Sequence, residues 1–341
     1  MKQLNVGVIG LGGISKVHIA ALRKLENVKI AAVCDIKQEK LAAAKAELGA
    51  DTYEDYRELI ARPDIDVVEI CTPHYLHAPM AIAALKAGKH VLTEKPMASE
   101  TEDALKMIET ADECPGTLSV IFQNRLNVST KALKKIIDSG EAGKLICARA
   151  CVCWHRTAPY YTESGWRGMW KTEGGGSLIN QSIHTIDLLS YLGGPIKRLK
   201  GHVSTDLLEG VIEVEDNCHA VFEYENGAKG VLYTTNDYGV DAPILLEMVF
   251  ENGTYQLHAE KLFKVVDGVP TLLADGRVAS ELGEKSYWGV SHEEQIRGVY
   301  EAIAEGKQYM IDGRSAFPAL NFVKAVYESS AKNEWVELIK V

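Results

Sequence analysis

The amino-acid sequence predicts an α/β protein: an N-terminal doubly wound parallel sheet, followed by a C-terminal α/β domain with a large open sheet, mixed or antiparallel. Three observations predict it. Apolar runs of strand length alternate with helix-length segments as far as about residue 123. That alternation then gives way to a succession of strands, with two helices near the end. The length of 341 residues exceeds one ordinary core, so two domains are expected, 1–123 and 124–341.

The elements follow in order. Strand 4–9 leads to a helix over 13–25, strand 28–34 to helix 37–48, and helix 54–61 to strand 66–71. Helix 77–87 leads to strand 89–93, helix 100–112 and strand 117–122. Ligands of such sheets bind beyond the carboxyl ends of the strands. Gly10, Asp35, Thr72-Pro73 and Glu94-Lys95-Pro96 all fall there, so they are expected to share one cleft. Past residue 123, helix 129–138 ends at Ser139-Gly140, a strand begins near Leu145, and a loop rich in glycine and aromatic residues occupies 157–176. Helix 177–192 precedes strands 197–206, 216–224, 228–235, 244–250, 253–258 and 262–266. Helices 291–305 and 315–331 and a strand from Trp335 to Val341 close the chain.

Charge narrows the function. A net charge of −10 with no Lys/Arg-rich run argues against nucleic acid or an anionic membrane as partner. Apolar stretches reach only about ten residues, too short for a transmembrane helix. The chain starts directly with a strand and shows no signal peptide, which predicts a cytoplasmic protein. Seven cysteines without disulfide spacing fit a reducing compartment. Cys147, Cys151, Cys153 and His155 suggest metal ligands, but they lie along one strand-like run. Cys147 and Cys153 would stand about 20 Å apart, so one tetrahedral ion cannot gather them. They are expected as buried small hydrophobes, and no metal is expected.

The first chemical signal is Gly10-Leu11-Gly12-Gly13-Ile14-Ser15 after an apolar strand, with Asp35 twenty residues beyond Ser15. Gly10 permits a tight turn, Gly12 lets the backbone approach a pyrophosphate, and a helix from Gly13 aims its amides at the phosphates. The third small position is Ser15, which still allows close helix–strand packing. Asp35 ends the second strand, where a carboxylate accepts hydrogen bonds from a ribose 2′-hydroxyl and repels a 2′-phosphate. An ordinary glycine-rich turn leaves Asp35 unexplained. The cofactor expected is NAD, with NADP left open because Lys37, two residues on, is close to the same ribose. Ile14, Ile36, Thr72, Pro73 and Glu94 complete the expected dinucleotide contacts.

Three further places could carry chemistry. Lys95, at the end of strand 89–93, is a candidate proton carrier, or a surface lysine before a turn. Asn180, His184 and Asp187 follow a glycine triplet at helical spacing. His184 could be a general base, Asn180 could bind a substrate hydroxyl, and Asp187 could orient the imidazole or be structural. The alternative is a helix face with a satisfied histidine. No second histidine sits at zinc-binding spacing. The loop from Trp154 through Tyr160, Tyr161, Trp166 and Arg167 to Trp170 offers aromatic faces and hydrogen-bond donors to a ring, or packs a domain or subunit contact.

With these residues in view, the chain resembles the glucose–fructose oxidoreductase / inositol dehydrogenase / rhizopine catabolism (Gfo/Idh/MocA) family over nearly its whole length. The resemblance rests on Gly10 to Ser15, Cys71-Thr72-Pro73-His74-Tyr75-Leu76-His77, Gly88 to Pro96, and Gly174-Gly175-Gly176 through His184 and Asp187. It implies a Rossmann domain and an α/β domain whose open sheet often forms the oligomer interface, hence a homodimer or homotetramer. It implies Lys95 and His184 as catalytic residues, His77 among the cofactor contacts, Trp166 and Arg167 beside the nicotinamide, and Asn124 within a crossing segment beside the cofactor. Inositol-dehydrogenase-like members carry Asp where this chain has Asn180, which throws acid/base work onto Lys95 and His184. The Tyr160, Tyr161, Trp166-Arg167 and Asn180-Gln181 combination is similar to members acting on pyranosides or nucleotide sugars.

The reading is an NAD-dependent dehydrogenase of a ring hydroxyl on a sugar, sugar derivative or cyclic polyol, with Lys95 and His184 meeting over one face of the nicotinamide. Tyr160, Tyr161, Asn180, Arg167 and Asp187 are the expected substrate contacts. Running as a keto-sugar reductase, cleaving a glycoside through transient 3-oxidation, or serving as a retired dinucleotide-binding scaffold are its rivals.

Overall fold

The computed structural model describes residues 3–276 and 291–341. Internal packing divides the chain into two units, Met1–Gln123 with Ser291–Phe317, and Asn124–Val290 with Pro318–Val341.

The first unit holds β1 (Leu4–Ile9), β2 (Val28–Cys34), β3 (Asp51–Tyr53), β4 (Val67–Ile70), β5 (His90–Thr93) and β6 (Leu118–Val120). They form one parallel sheet in the order β3-β2-β1-β4-β5-β6. Helices Ser15–Leu22, Gln38–Leu48, Tyr56–Ile60, His77–Lys86 and Thr101–Glu113 connect them. Every residue of β4 is buried, as an inner parallel strand covered on both faces requires. The strand order reverses between β1 and β4, the place where this architecture opens a crevice for ligands.

Two sequence expectations change here. β3 was not foreseen, because three residues are too few to show a strand period. Residues 291–317 were assigned to the second domain, yet they belong to the first unit. The cause is the helix His292–Ala304, whose Ile296, Val299, Tyr300 and Ile303 lie on one face and join the core of Val6, Val8, Leu22 and Val33.

The second unit is built on a nine-stranded sheet, with β7 (Leu145–Cys153), β8 (Ile196–Ser204), β9 (Asn217–Tyr224), β10 (Lys229–Thr235), β11 (Leu245–Phe250), β12 (Gly253–His258), β13 (Lys261–Val266), β14 (Val269–Asp275) and β15 (Val336–Glu337). The order is β14-β13-β12-β11-β7-β10-β9-β8-β15, and β7 with β10 is its parallel pair. Along β9, Cys218, Ala220, Phe222 and Tyr224 are buried while His219 and Val221 are exposed, so one face is covered and the other open. Helix Ile183–Gly193 packs against β7 and β11 on the covered face.

β14 is mostly exposed and carries Pro270, which hides its period, and the last strand is only Val336–Glu337. Cys147, Cys151 and Cys153 were expected to be buried. The pleat instead buries Leu145, Ala148, Ala150 and Val152 and leaves those three half-buried on the open side. All seven cysteines are free. Among the described residues, no helix is long and apolar enough to cross a membrane.

Candidate active site

At the nucleotide end of the first unit, Gly10 leaves β1 with its amide donating to the carbonyl of Cys34 at 2.8 Å. Its φ is +92°, and a Cβ there would lie 2.7 Å from the Cys71 oxygen, so the turn requires glycine. A Cβ on Gly12 or Gly13 would meet nothing within 4 Å, which leaves the space over the turn open. Helix Ser15–Leu22 begins at Ile14 with no side-chain cap and no acid in its first turn. Uncapped amides beside open space suit an anion such as a pyrophosphate. Ser15 is buried and its hydroxyl donates to the Gly12 carbonyl at 2.8 Å, pinning the turn from behind.

Asp35 directly follows β2 and ties two loops together. Its Oδ2 accepts from the Leu11 amide at 2.8 Å and its Oδ1 from the Lys37 amide at 3.0 Å. Ile36 beside it is 84% exposed, an apolar side chain presented at that edge. Thr72 and Pro73 follow β4 and are half-buried. These residues fit a dinucleotide: a glycine cradle, open helix amides and a carboxylate at the second strand end. His77 was expected to touch the cofactor. It is instead fully buried, with Nδ1 2.7 Å from the Pro96 oxygen and Nε2 2.8 Å from the Thr72 oxygen. Burial lowers its pKa, and the ring fastens the Thr72 loop to the Lys95-Pro96 loop.

Lys95 follows β5, is half-buried, and joins Pro96 through a cis peptide. Behind it lies a cluster that sequence reasoning missed. Glu94 Oε2 accepts from the Lys95 amide at 3.2 Å. His18 places Nε2 3.0 Å from Glu94 Oε1 and Nδ1 2.7 Å from Glu69 Oε2, and Tyr300 donates to Glu69 Oε1 at 2.9 Å. Each ring nitrogen faces a carboxylate, an arrangement that favours the doubly protonated ring. Burial disfavours that charge, but its neighbours Cys71 and Glu69 raise the pKa well above the ordinary value. Burial likewise pushes Glu94 up, and His18 and His292 overcome it to hold that carboxyl well below the usual range. Glu94 was expected at the cofactor; its carboxylate is turned inward to His18 and His292.

The second unit supplies the other candidates. Among the glycines before Asn180, Gly176 is forced: a Cβ there would lie 1.9 Å from the Glu215 oxygen. Glu215, 1% exposed, holds this turn through the Gly176 amide at 2.8 Å, the Leu178 amide at 2.9 Å and the Tyr327 hydroxyl at 3.0 Å. Burial pushes its carboxyl up to about 7. Residues Ser177–Ser182 wind as a wider π-helical turn before helix Ile183–Gly193. That carries Asn180 off the straight stripe expected with His184 and Asp187, and such turns are common at functional sites. Asn180 and His184 are both half-buried. Asp187 was expected to meet substrate, to orient the imidazole or to be structural, and its contacts are those of a structural residue. It is buried, and both its oxygens accept from the Arg125 guanidinium, at 2.8 and 2.5 Å.

The aromatic loop is organised around Tyr160. The Arg167 guanidinium lies 4.5 Å over its ring and 4.7 Å over that of Trp166. The Tyr160 hydroxyl accepts from Gln181 Nε2 at 3.0 Å. Tyr161, expected at the substrate, is 2% exposed and packs with Leu208, Ile212 and Val214, its hydroxyl accepting from Asn236 Nδ2 at 2.8 Å. Two expected contact residues present buried polar atoms with no hydrogen-bond partner among the described residues, Arg167 Nε and Asn124 Oδ1. Such atoms are what a bound ligand satisfies. Glu173, Glu215 and Asn236 had no assigned role in the sequence reading, Gln181 entered only beside Asn180, and Arg125 only as part of the crossing segment at Asn124. A charge directly before the glycine triplet is the one signal that could have found Glu173.

Comparison with known proteins follows the same division. Residues 4–122 match the model of the Gfo/Idh/MocA oxidoreductase family, described as an NAD-binding Rossmann fold, and residues 130–256 match the Gfo/Idh/MocA C-terminal domain. The chain is similar to levoglucosan dehydrogenase of Pseudarthrobacter phenanthrenivorans, 27% identical over all of both chains. It is also similar to myo-inositol 2-dehydrogenase of Thermotoga maritima, 30% identical over 71% of this chain and 72% of that one. Among solved structures, the WlbA dehydrogenase from Bordetella pertussis, in complex with NADH and UDP-GlcNAcA, superposes with a TM-score of 0.88 at 28% identity, over 100% of this chain and 99% of the other.

Proposed function

Because the chain belongs to the Gfo/Idh/MocA family of oxidoreductases, we propose that it is an NAD-dependent dehydrogenase acting on a ring hydroxyl of a sugar, sugar derivative or cyclic polyol. One observation carries this reading. Gly10 after β1, Thr72 after β4 and Lys95 after β5 stand at the carboxyl ends of three adjacent strands, with Asp35 beyond β2. A primary amine is thus placed on the edge of the sheet that a dinucleotide occupies.

NAD, when bound, supplies the two-electron acceptor. Gly10, Gly12, Gly13, Ile14 and Ser15 would hold its pyrophosphate, and Asp35, Ile36 and Lys37 its adenosine end. Thr72, Pro73, Asn124, Trp166 and Arg167 are assigned to its nicotinamide half. His184 takes the proton of the reacting hydroxyl, directly or with Lys95. Lys95 hydrogen-bonds that oxygen as it becomes a ketone. Asn180, Tyr160 and Arg167 hold neighbouring hydroxyls. Positioning and charge stabilisation supply most of the acceleration. The relatives support the substrate class, since their names cite levoglucosan and myo-inositol and one structure holds NADH with UDP-GlcNAcA.

We further propose a cytoplasmic homodimer or homotetramer assembled through the open face of the nine-stranded sheet. Val221, Val231 and Tyr233 are adjacent there and 43–48% exposed.

The test is NADH formation when the purified protein is given NAD and, in turn, levoglucosan, myo-inositol and UDP-GlcNAcA, extended to other pyranosides and cyclitols. Catalytic NADH release with at least one ring alcohol is expected. None across that panel, with NAD bound, would return the protein to a scaffold reading.

A further inference from the structure

Glu173 stands directly before the glycine triplet and is 0% exposed. Its two oxygens have separate partners. Oε2 accepts from the Gly168 amide at 2.6 Å, and Oε1 accepts from Asn180 Nδ2 at 2.6 Å. An ionised carboxylate can only accept, so it dictates which end of the Asn180 amide faces it. The nitrogen is drawn in, which turns the carbonyl oxygen Oδ1 away from Glu173. The same Nδ2 lies 3.5 Å from the Tyr160 hydroxyl, itself held by Gln181. Gly168 follows Trp166-Arg167, so one buried carboxylate also fixes the loop that carries Arg167.

We propose that Glu173 is a specificity-determining positioning residue: it locks Asn180 with its carbonyl oxygen toward the substrate, so that this position selects a ring hydroxyl that donates its hydrogen. The identity of the ligand rests on the dehydrogenase reading above; the lock is a property of this chain alone. Burial pushes the Glu173 carboxyl up to about 7, against the Gly168 amide, Asn180 and Arg167, with Glu215 adding to the rise. Arg167 comes from the aromatic loop and Glu215 from the segment before β9. Tyr160 and Tyr161 come from the short helix Ala158–Thr162, and Tyr327 from helix Gly313–Lys332. Those tyrosines, all raised, stay neutral, which leaves Glu173 and Glu215 as the acids of this cluster, with His184 four residues beyond Asn180.

The variants test the lock without leaving a buried group unpaired. In Glu173→Gln the new carbonyl still accepts from Gly168, but the new NH2 faces Asn180 and turns its amide over, presenting nitrogen outward. In the double variant E173Q/N180D the NH2 donates to a carboxylate, and an acceptor again faces outward. With levoglucosan or myo-inositol, whichever the wild type oxidises, E173Q is expected to raise KM by about tenfold or more and to change kcat by less than about threefold. E173Q/N180D is expected to bring KM back to within about threefold of wild type. A wild-type KM in E173Q, or no recovery in the double variant, overturns the proposal. The ligand-free protein gives an independent readout. The side-chain amide 1H–15N pair of Asn180, assigned by its loss in Asn180→Asp, is expected to shift between pH 6 and 8 in wild type and to lose most of that shift in E173Q. A pair indifferent to pH in wild type, or one that shifts as much in E173Q, sinks the lock even if no ring alcohol is oxidised, and a shift lost in E173Q sustains it in that case.

Discussion

Arg125 grips both carboxylate oxygens of Asp187, at 2.8 and 2.5 Å, with the two side chains 7% and 2% exposed. The guanidinium also lies 4.9 Å over the Tyr191 ring. Burial pushes the Asp187 carboxyl up, while Arg125 pulls it down. Removing one partner leaves a buried charge uncompensated, whereas removing both does not. Asp187→Ala is therefore expected to lose about 3–5 kcal/mol of stability in denaturant unfolding. Arg125→Met/Asp187→Leu is expected to lose less than the worse of its two single variants. A double variant as unstable as the sum of the singles would show that the pair is not coupled.

Asp35 should set cofactor choice. Asp35→Ala removes the acceptor at the end of β2 and the anchor for the Leu11 amide at 2.8 Å. NAD affinity, followed by intrinsic fluorescence, is expected to fall by about tenfold or more, and the NAD-to-NADP preference to narrow. Tighter binding of NADP than of NAD by the wild type would contradict the assignment.

Glu173 and Glu215 give stability a pH dependence of known sign. Both carboxyls titrate at about 7 in the folded chain against an ordinary value of 4.5. The native state therefore keeps protons that the unfolded chain has released, and these two groups make stability fall as pH rises from 4.5 to about 7. The variant E173Q/N180D moves one of these charges to a half-buried position. It is expected to lose less stability than wild type between pH 5 and 7 in urea titrations. An equal or steeper loss would refute the buried-carboxylate account.

The open sheet face predicts assembly. Val231→Glu puts a charge among Val221, Val231 and Tyr233, which are solvent-facing in one chain. Light scattering on wild type should give the mass of two or four chains, and the variant should shift toward one, with its far-ultraviolet spectrum unchanged. A monomeric wild type would discard that face as an interface.

Much of this was legible in the sequence because it is locally encoded. The βα alternation, the Gly10 turn and the strand over β9 each lie within a few residues and have one physical solution. What escaped was set by distant partners. The first unit claims residues 291–317 because Ile296, Val299, Tyr300 and Ile303 fit its core, and no local pattern says which core an amphipathic helix will choose. Glu94 lies next to Lys95, and His77 five residues after Thr72, but their side chains turn inward to partners 76 and 19 residues away. Asp187 shares a polar stripe with Asn180 and His184 in sequence, but its partner is Arg125, 62 residues earlier, which no local pattern names. The π-helical turn at Ser177–Ser182 depends on Glu215, whose carboxylate caps it from beyond β8.

The central claim is that Lys95 and His184 carry the chemistry, and steady-state turnover of Lys95→Ala and His184→Ala tests it most directly. Both variants should bind NAD as wild type does and lose kcat on the ring alcohol by about a hundredfold or more. Near-wild-type kcat in either variant, with the cofactor bound, would contradict the account.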